Sequence, residues 1–164
     1  VVKDIQKNTI NIFLMITGNI EIGFKKYNSL AELPDVDQQL IKQAKALAKT
    51  AYAPYSGFRV ASVALMSDGS IVQGTNQENA SYPIGLCAER VLLAAASSIA
   101  PGKAITTIAI TYESDDVDTT APVAPCGICR QSLLEFESRF QQPMRVLLCG
   151  DKEVLEFDTV SLLL

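Results

Sequence analysis

The sequence predicts a single α/β layered domain built on a mixed sheet, and three observations carry that expectation. Two apolar runs, Phe58 to Met66 and Ile71 to Thr75, flank Ser67-Asp68-Gly69-Ser70, a turn by composition, so they read as an antiparallel hairpin. Further along, apolar strand-like runs at Ala104 to Tyr112 and Pro143 to Leu148 alternate with helical segments, the pattern that joins strands in parallel. Finally, 164 residues of which 48% are hydrophobic suffice for one core and give no sign of a second.

Ile20, Ile22 and Phe24 alternate with polar or small residues and suggest a short strand or an extended arm. Residues 1–28 are therefore expected to be an amino-terminal extension or short strand, and 29–164 the domain proper. Ile10 to Ile16 is apolar except for Asn11, but far too short to cross a bilayer. No small-residue cleavage site follows it, so a signal peptide is not expected, and Met15 is a candidate natural start.

Pro34-Asp35 opens a helix, with Asp35 and Gln38 at capping-box spacing. Val36, Leu40, Ile41, Ala44, Leu47 and Ala48 form one apolar stripe at helical period, and Pro54 ends the helix near Tyr52. Ala53 to Gly57 is a loop, followed by the hairpin. The polar run Asn76 to Ser81 leads into Cys87 to Ile99, a helix apolar nearly all round and so expected to be buried. Pro101-Gly102 ends it. After the strand to Tyr112, Glu113 to Ala124 is rich in Ser, Asp, Thr and Pro and reads as a loop. Cys126 to about Ser138 is a helix. Beyond Leu148, Gly150-Asp151-Lys152 turns the chain into a last strand, Val154 to Phe157, and Asp158 is a candidate cap for a final short helix.

The formal net charge is −4 with no basic block, which argues against a nucleic-acid backbone as partner. Small, neutral or weakly charged substrates fit better. Four cysteines in a chain without secretory features point to a metal site in a reducing, cytoplasmic setting, not to a disulfide scaffold.

Three of those cysteines define the candidate site. Cys87-Ala88-Glu89-Arg90 is followed by Pro125-Cys126-Gly127-Ile128-Cys129. Catalytic zinc typically takes three protein ligands and keeps a fourth position for water. Glu89, two residues from Cys87, is placed to face that water as a proton shuttle. A closed structural site needs a fourth Cys or His, but the chain has no histidine, and Cys149 lies in an apolar run where burial is expected. Both metal segments open predicted helices, where free N–H groups and the helix dipole favour thiolate. Three thiolates and Zn2+ sum to one negative charge, so Arg90 is a candidate to draw charge off a sulfur. Gln131 and Arg130 are candidates to support the ligands. The paired motif is also the signature of zinc nucleobase deaminases.

The chain resembles the small, homotetrameric class of cytidine deaminases. The residues carrying this are Tyr52 to Phe58, Asp68-Gly69, Gly74 to Tyr82, Cys87 to Arg90 and Pro125 to Gln131, within roughly Asp35 to Asp151. The resemblance implies a three-layer α/β/α sandwich with a mixed central sheet. It implies one Zn2+ per chain on Cys87, Cys126 and Cys129, and Glu89 passing a proton from water to N3 of the pyrimidine and then to departing ammonia. It also implies that the Ala88 backbone N–H contacts the base, that Phe58 packs against it, and that Asn76 and Glu78 bind the ribose 3'-hydroxyl. Tyr82 matches a residue near a shared subunit boundary, and family members complete each site with neighbouring subunits. The family's tail carries an aromatic into a neighbour's site, whereas this sequence stops at Leu164.

The expected activity is hydrolytic deamination of cytidine and 2'-deoxycytidine in pyrimidine salvage. The alternatives are a deaminase of a modified cytosine nucleoside of the blasticidin S type, a non-catalytic zinc-stabilised module, and a redox dithiol protein. Glu89 argues against the module, which has no use for a carboxylate at an open position. Neither nucleic acid nor a membrane is an expected partner.

Overall fold

Residues 21–164 are described by the structure, a computed structural model. The hairpin forms as expected: β2 (Arg59–Met66) pairs antiparallel with β3 (Ile71–Thr75) in a register running from Ala61 opposite Thr75 to Leu65 opposite Ile71. Four more strands complete the sheet: β1 (Lys25–Tyr27), β4 (Ile105–Glu113), β5 (Arg145–Cys149) and β6 (Val154–Phe157). Their spatial order is β1-β6-β5-β4-β2-β3, and only β4 and β5 are parallel neighbours. Helices alternate with the strands: α1 (Asp35–Ala48), α2 (Ala88–Ile99) and α3 (Gly127–Phe140).

The mixed character of the sheet follows from where the helices cross. After α3, β5 docks beside β4 and runs with it. After α2, β4 docks on the far side of β2, so β3 and β4 both run antiparallel to β2 and never touch as neighbours. Alternate side chains then divide between two cores, because strand side chains point to opposite faces. Ala64, Ile108, Ile110, Val146 and Leu148 pack under α2 and α3, while Val63, Ala109, Leu147 and Cys149 pack under α1 with Leu40, Ile41 and Ala44. This is the expected three-layer α/β/α sandwich with a mixed central sheet.

Several local expectations change. No strand covers Ile22 or Phe24; the pairing stretch is Lys25–Tyr27, an edge strand on β6. Charge fixes it there: Lys25 Nζ donates to Glu156 at 2.9 Å, Tyr27 Oη to Glu156 at 2.8 Å, and Lys26 Nζ to Glu153 at 2.8 Å. Ile20, the Ile10 to Ile16 stretch and Met15 lie outside the described residues. Asp35 is not a cap but the first residue of α1; Pro34 is the cap, and Gln38 donates its side-chain N–H to the Leu33 carbonyl at 2.9 Å. Thr159, not Asp158, caps the final turn, its side chain accepting from Ser161 N–H. Asp158 pairs with Lys25 instead.

The helix α2 is not buried all round. Ala88, Glu89, Leu92, Leu93 and Ala96 are covered, but Ala94, Ser97, Ser98 and Ile99 face outward. An outer-layer helix meets the sheet on one side only, and no other element among the described residues covers its back.

Candidate active site

Two helix starts on the same side of the sheet build the site. Cys87 is the cap residue of α2, and Cys126 is the cap residue of α3, with Cys129 one turn further on. Neither Cys87 nor Cys126 spends its side chain on a capping hydrogen bond, so both thiols remain free to act together. The Cys87 and Cys126 Sγ atoms lie 3.9 Å apart, and all three sulfurs fall within 4.8 Å of one another. Thiolates at tetrahedral angles about 2.3 Å from zinc stand about 3.8 Å apart, so the cluster fits that ion. It fits as an open site, because three ligands leave one position. Cys149 contributes nothing to it: the residue packs on the α1 side of the sheet, and burial pushes its thiol up to about 12.

The thiols differ among themselves. Hydrogen bonding from Cys129 draws Cys87 down to about 6, against the opposing effects of burial and of Glu89. That same hydrogen bond and burial push Cys129 up. Arg90 also lowers Cys87 through its charge, though it is the weakest of the causes.

Glu89 is the buried acid beside them, only 4% exposed. Burial raises its carboxyl above the ordinary carboxylate range, and its own backbone N–H and the Cys129 thiol oppose that shift. The carboxyl therefore sits against a metal ligand, in a site whose burial favours its protonated form more than water does. Ala88 is fully buried in the first turn of α2, where N–H groups have no acceptor within the helix.

The segments around the cluster are laced together by backbone bonds. Gln77 exchanges hydrogen bonds with Leu86, the residue before Cys87, at 2.8 and 2.9 Å. Tyr52 N–H donates to the Asn76 carbonyl, and Glu78 N–H to the Tyr52 carbonyl. The polar run is thus tied on one side to the metal segment and on the other to the loop before β2. Asn76 Oδ1 accepts from Val60 N–H at 2.8 Å, and its Nδ2 donates to the Phe58 carbonyl at 2.8 Å. Glu78 accepts from Tyr55 N–H at 2.9 Å, from Ser56 N–H at 3.3 Å and from the Ser56 hydroxyl, and that hydroxyl is the main reason its carboxyl lies low. Both side chains hold the loop that presents Phe58, a task that spacing alone did not reveal.

The other candidates scatter. Tyr82, in a short 3-10 turn, is 91% exposed. Gln131 is exposed on α3. Arg130 does not support a sulfur: it donates to the Pro125 carbonyl and to the Leu163 carbonyl, each at 2.9 Å, and so locks the final turn to the metal loop. Sequence reading missed Gly74 as a site residue. A Cβ there would lie 2.5 Å from Leu92 N and 2.7 Å from Ala88 O, so its bare backbone is what lets the first turns of α2 rest on β3. Its presence in a strand was the available signal.

Residues 34–141 match the family model described as the cytidine and deoxycytidylate deaminase zinc-binding region. The chain belongs to the cytidine and deoxycytidylate deaminase family. This deaminase is similar to the cytidine deaminase of Sporosarcina psychrophila, 37% identical over 129 residues, which are 77% of this chain and 87% of the relative. It is 45% identical over 99 residues to the cytidine deaminase of Halalkalibacterium halodurans, covering 60% of this chain and 70% of that one. Among solved structures, the 1.6 Å crystal structure of cytidine deaminase from Burkholderia pseudomallei superposes with a TM-score of 0.63 at 36% identity, over 76% of this chain and 93% of the other. As a member of this family the deaminase is a hydrolytic, zinc-binding enzyme. No helix among the described residues is long and apolar enough to cross a membrane.

Proposed function

We propose that this chain deaminates cytidine and 2'-deoxycytidine to uridine and 2'-deoxyuridine, consuming water and releasing ammonia, in pyrimidine salvage. The observation that supports it best is the buried Glu89 carboxyl set against the three-thiol cluster. Cys87, Cys126 and Cys129 would hold zinc, which when bound would supply the Lewis acidity that makes water a nucleophile at neutral pH. Glu89 moves the protons: it takes one from the attacking water and gives it to N3 of the base, then takes the other from the hydroxyl added at C4 and gives it to the departing amine as the C4 carbonyl forms. The Ala88 N–H holds the base, Phe58 packs against its ring, and Asn76 and Glu78 reach the ribose 3'-hydroxyl with the hydrogen-bonding capacity the loop leaves free.

The enzyme works as a homotetramer with shared sites in this reading. The outward face of α2, with Ala94, Ser97, Ser98 and Ile99, supports it, as do exposed Tyr82 and Ile84 on a segment bordering the site. Tyr82 belongs to that boundary. Four free thiols suit the reducing cytoplasm.

The test is loss of cytidine absorbance on mixing with the zinc-replete protein. Conversion to uridine carries the proposal; no turnover with one zinc bound per chain removes it. In this reading Arg90 and Gln131 support the ligands. Arg90→Ala is expected to lower turnover or zinc affinity by roughly 10–100-fold. Wild-type kinetics and metal content in that variant would mark Arg90 as an ordinary surface residue.

A further inference from the structure

Tyr112 has no task in the metal chemistry, yet it touches both parts of the site. It is 5% exposed, near the end of β4. The register sets Val60 opposite Tyr112, so Phe58, two residues earlier, lies diagonally across from it, within reach of an aromatic ring. The two rings stack, with centroids 5.0 Å apart and 26° between their planes.

The far end of the same side chain is anchored. The Tyr112 hydroxyl lies 2.8 Å from the Ala121 carbonyl and 3.1 Å from the Asp118 carbonyl, and its single proton is shared between them. That stretch of loop is held in turn. Asp151 N–H donates to the Thr119 carbonyl at 2.7 Å, and Lys152 and Glu153 N–H both reach the Thr120 carbonyl at 3.3 Å. The approach is so close that a Cβ on Gly150 would lie 2.4 Å from Thr120 O. Only residues 122–124 separate this anchored stretch from Pro125 and the metal ligand Cys126. Phe58, for its part, has its backbone gripped by Asn76.

We propose that Tyr112 is a positioning residue for the nucleoside: it backs the Phe58 ring and, through its hydroxyl, ties that ring to the loop that delivers Cys126. The spacing between the base-packing aromatic and the metal ligands is thereby set by one side chain. This rests on the proposed role of Phe58 at the base. A ring without backing retreats, and the base it should hold is bound loosely both before and during reaction. Substrate affinity then falls while the chemical step is spared.

The experiment is steady-state kinetics on cytidine with zinc-loaded protein, with zinc content and melting temperature measured alongside. Tyr112→Leu is expected to raise KM about tenfold, the size of one lost aromatic stack, and to leave kcat within about threefold. Tyr112→Phe keeps the ring but cuts the tie to the loop, and is expected to raise KM about threefold, between wild type and Tyr112→Leu; a wild-type KM would overturn the role of the hydroxyl. Phe58→Leu alone should raise KM, and adding Tyr112→Leu to it should raise KM no further, because the second residue acts through the first. If Tyr112→Leu does not fold, Tyr112→Met, flexible and of similar bulk, carries the same comparison. An unchanged KM, a loss confined to kcat, a Phe variant as impaired as the Leu variant, or additive effects in the double variant would each overturn the proposal. Absence of cytidine turnover in the wild type would instead overturn the function beneath it, and this proposal with it.

Discussion

Glu89→Gln is expected to lower kcat by roughly 10²–10⁴ while keeping the fold and one zinc per chain. The amide matches the acid in size, so the buried pocket at the start of α2 stays filled. It cannot give up and regain a proton, so the proposed transfers to N3 and to the leaving amine lose their carrier. The sulfurs are untouched, because Glu89 lies against Cys129 without supplying a ligand atom to the cluster. Zinc content by elemental analysis and the uridine formation rate decide the matter together. Loss of zinc along with activity would mean that Glu89 holds the metal site together; substantial remaining turnover would mean that another group carries the proton.

Gly74→Ala is expected to damage the enzyme from outside the metal cluster. The new methyl would meet Leu92 N at 2.5 Å and Ala88 O at 2.7 Å, and both are backbone atoms that no rotamer change can move. The helix α2 must lift from β3, at a cost of about 1–3 kcal/mol of overpacking strain. Because Cys87 and Glu89 ride on the first turn of that helix, the shift also spoils the match between Cys87 and the two thiols on α3. Catalytic geometry tolerates little displacement, and about 1 Å costs on the order of 10²-fold in rate. A lowered melting temperature together with a large loss of kcat is therefore expected. A variant with wild-type stability and turnover would show that α2 approaches β3 less closely than described.

Much of this protein was legible from residue order alone. The hairpin was readable because Ser67-Asp68-Gly69-Ser70 separates two apolar runs, and β3 and β6 have the bounds their composition suggests. The metal cluster was readable because three cysteines and a glutamate stand at spacings that suit one ion, in a chain without histidine. Local chemistry is written in local spacing, and so it survives without coordinates.

Long-range placement is not written that way. That β4 crosses β2 to dock on its far side depends on which edge is free when α2 turns back, and no residue of β4 announces it. Asp37 sits in the apolar stripe of α1 and is buried, paired with Arg145 from β5, a partner 108 residues away. Glu137 on α3 collects Met144 N–H at 2.7 Å, Val160 N–H at 3.0 Å and the Thr159 hydroxyl at 2.7 Å, joining three elements that are only local names in the sequence. Arg130 looked like a support for sulfur and instead holds the chain's last turn. The sequence by itself determined which cysteines gather into the cluster and which carboxylate stands beside it, because such a group is recognised by residue type and spacing. Only the tertiary structure decided how Phe58, Asn76, Glu78 and Tyr112 are braced around them, because bracing depends on which distant backbone groups come within about 3 Å, and that distance exists only after folding.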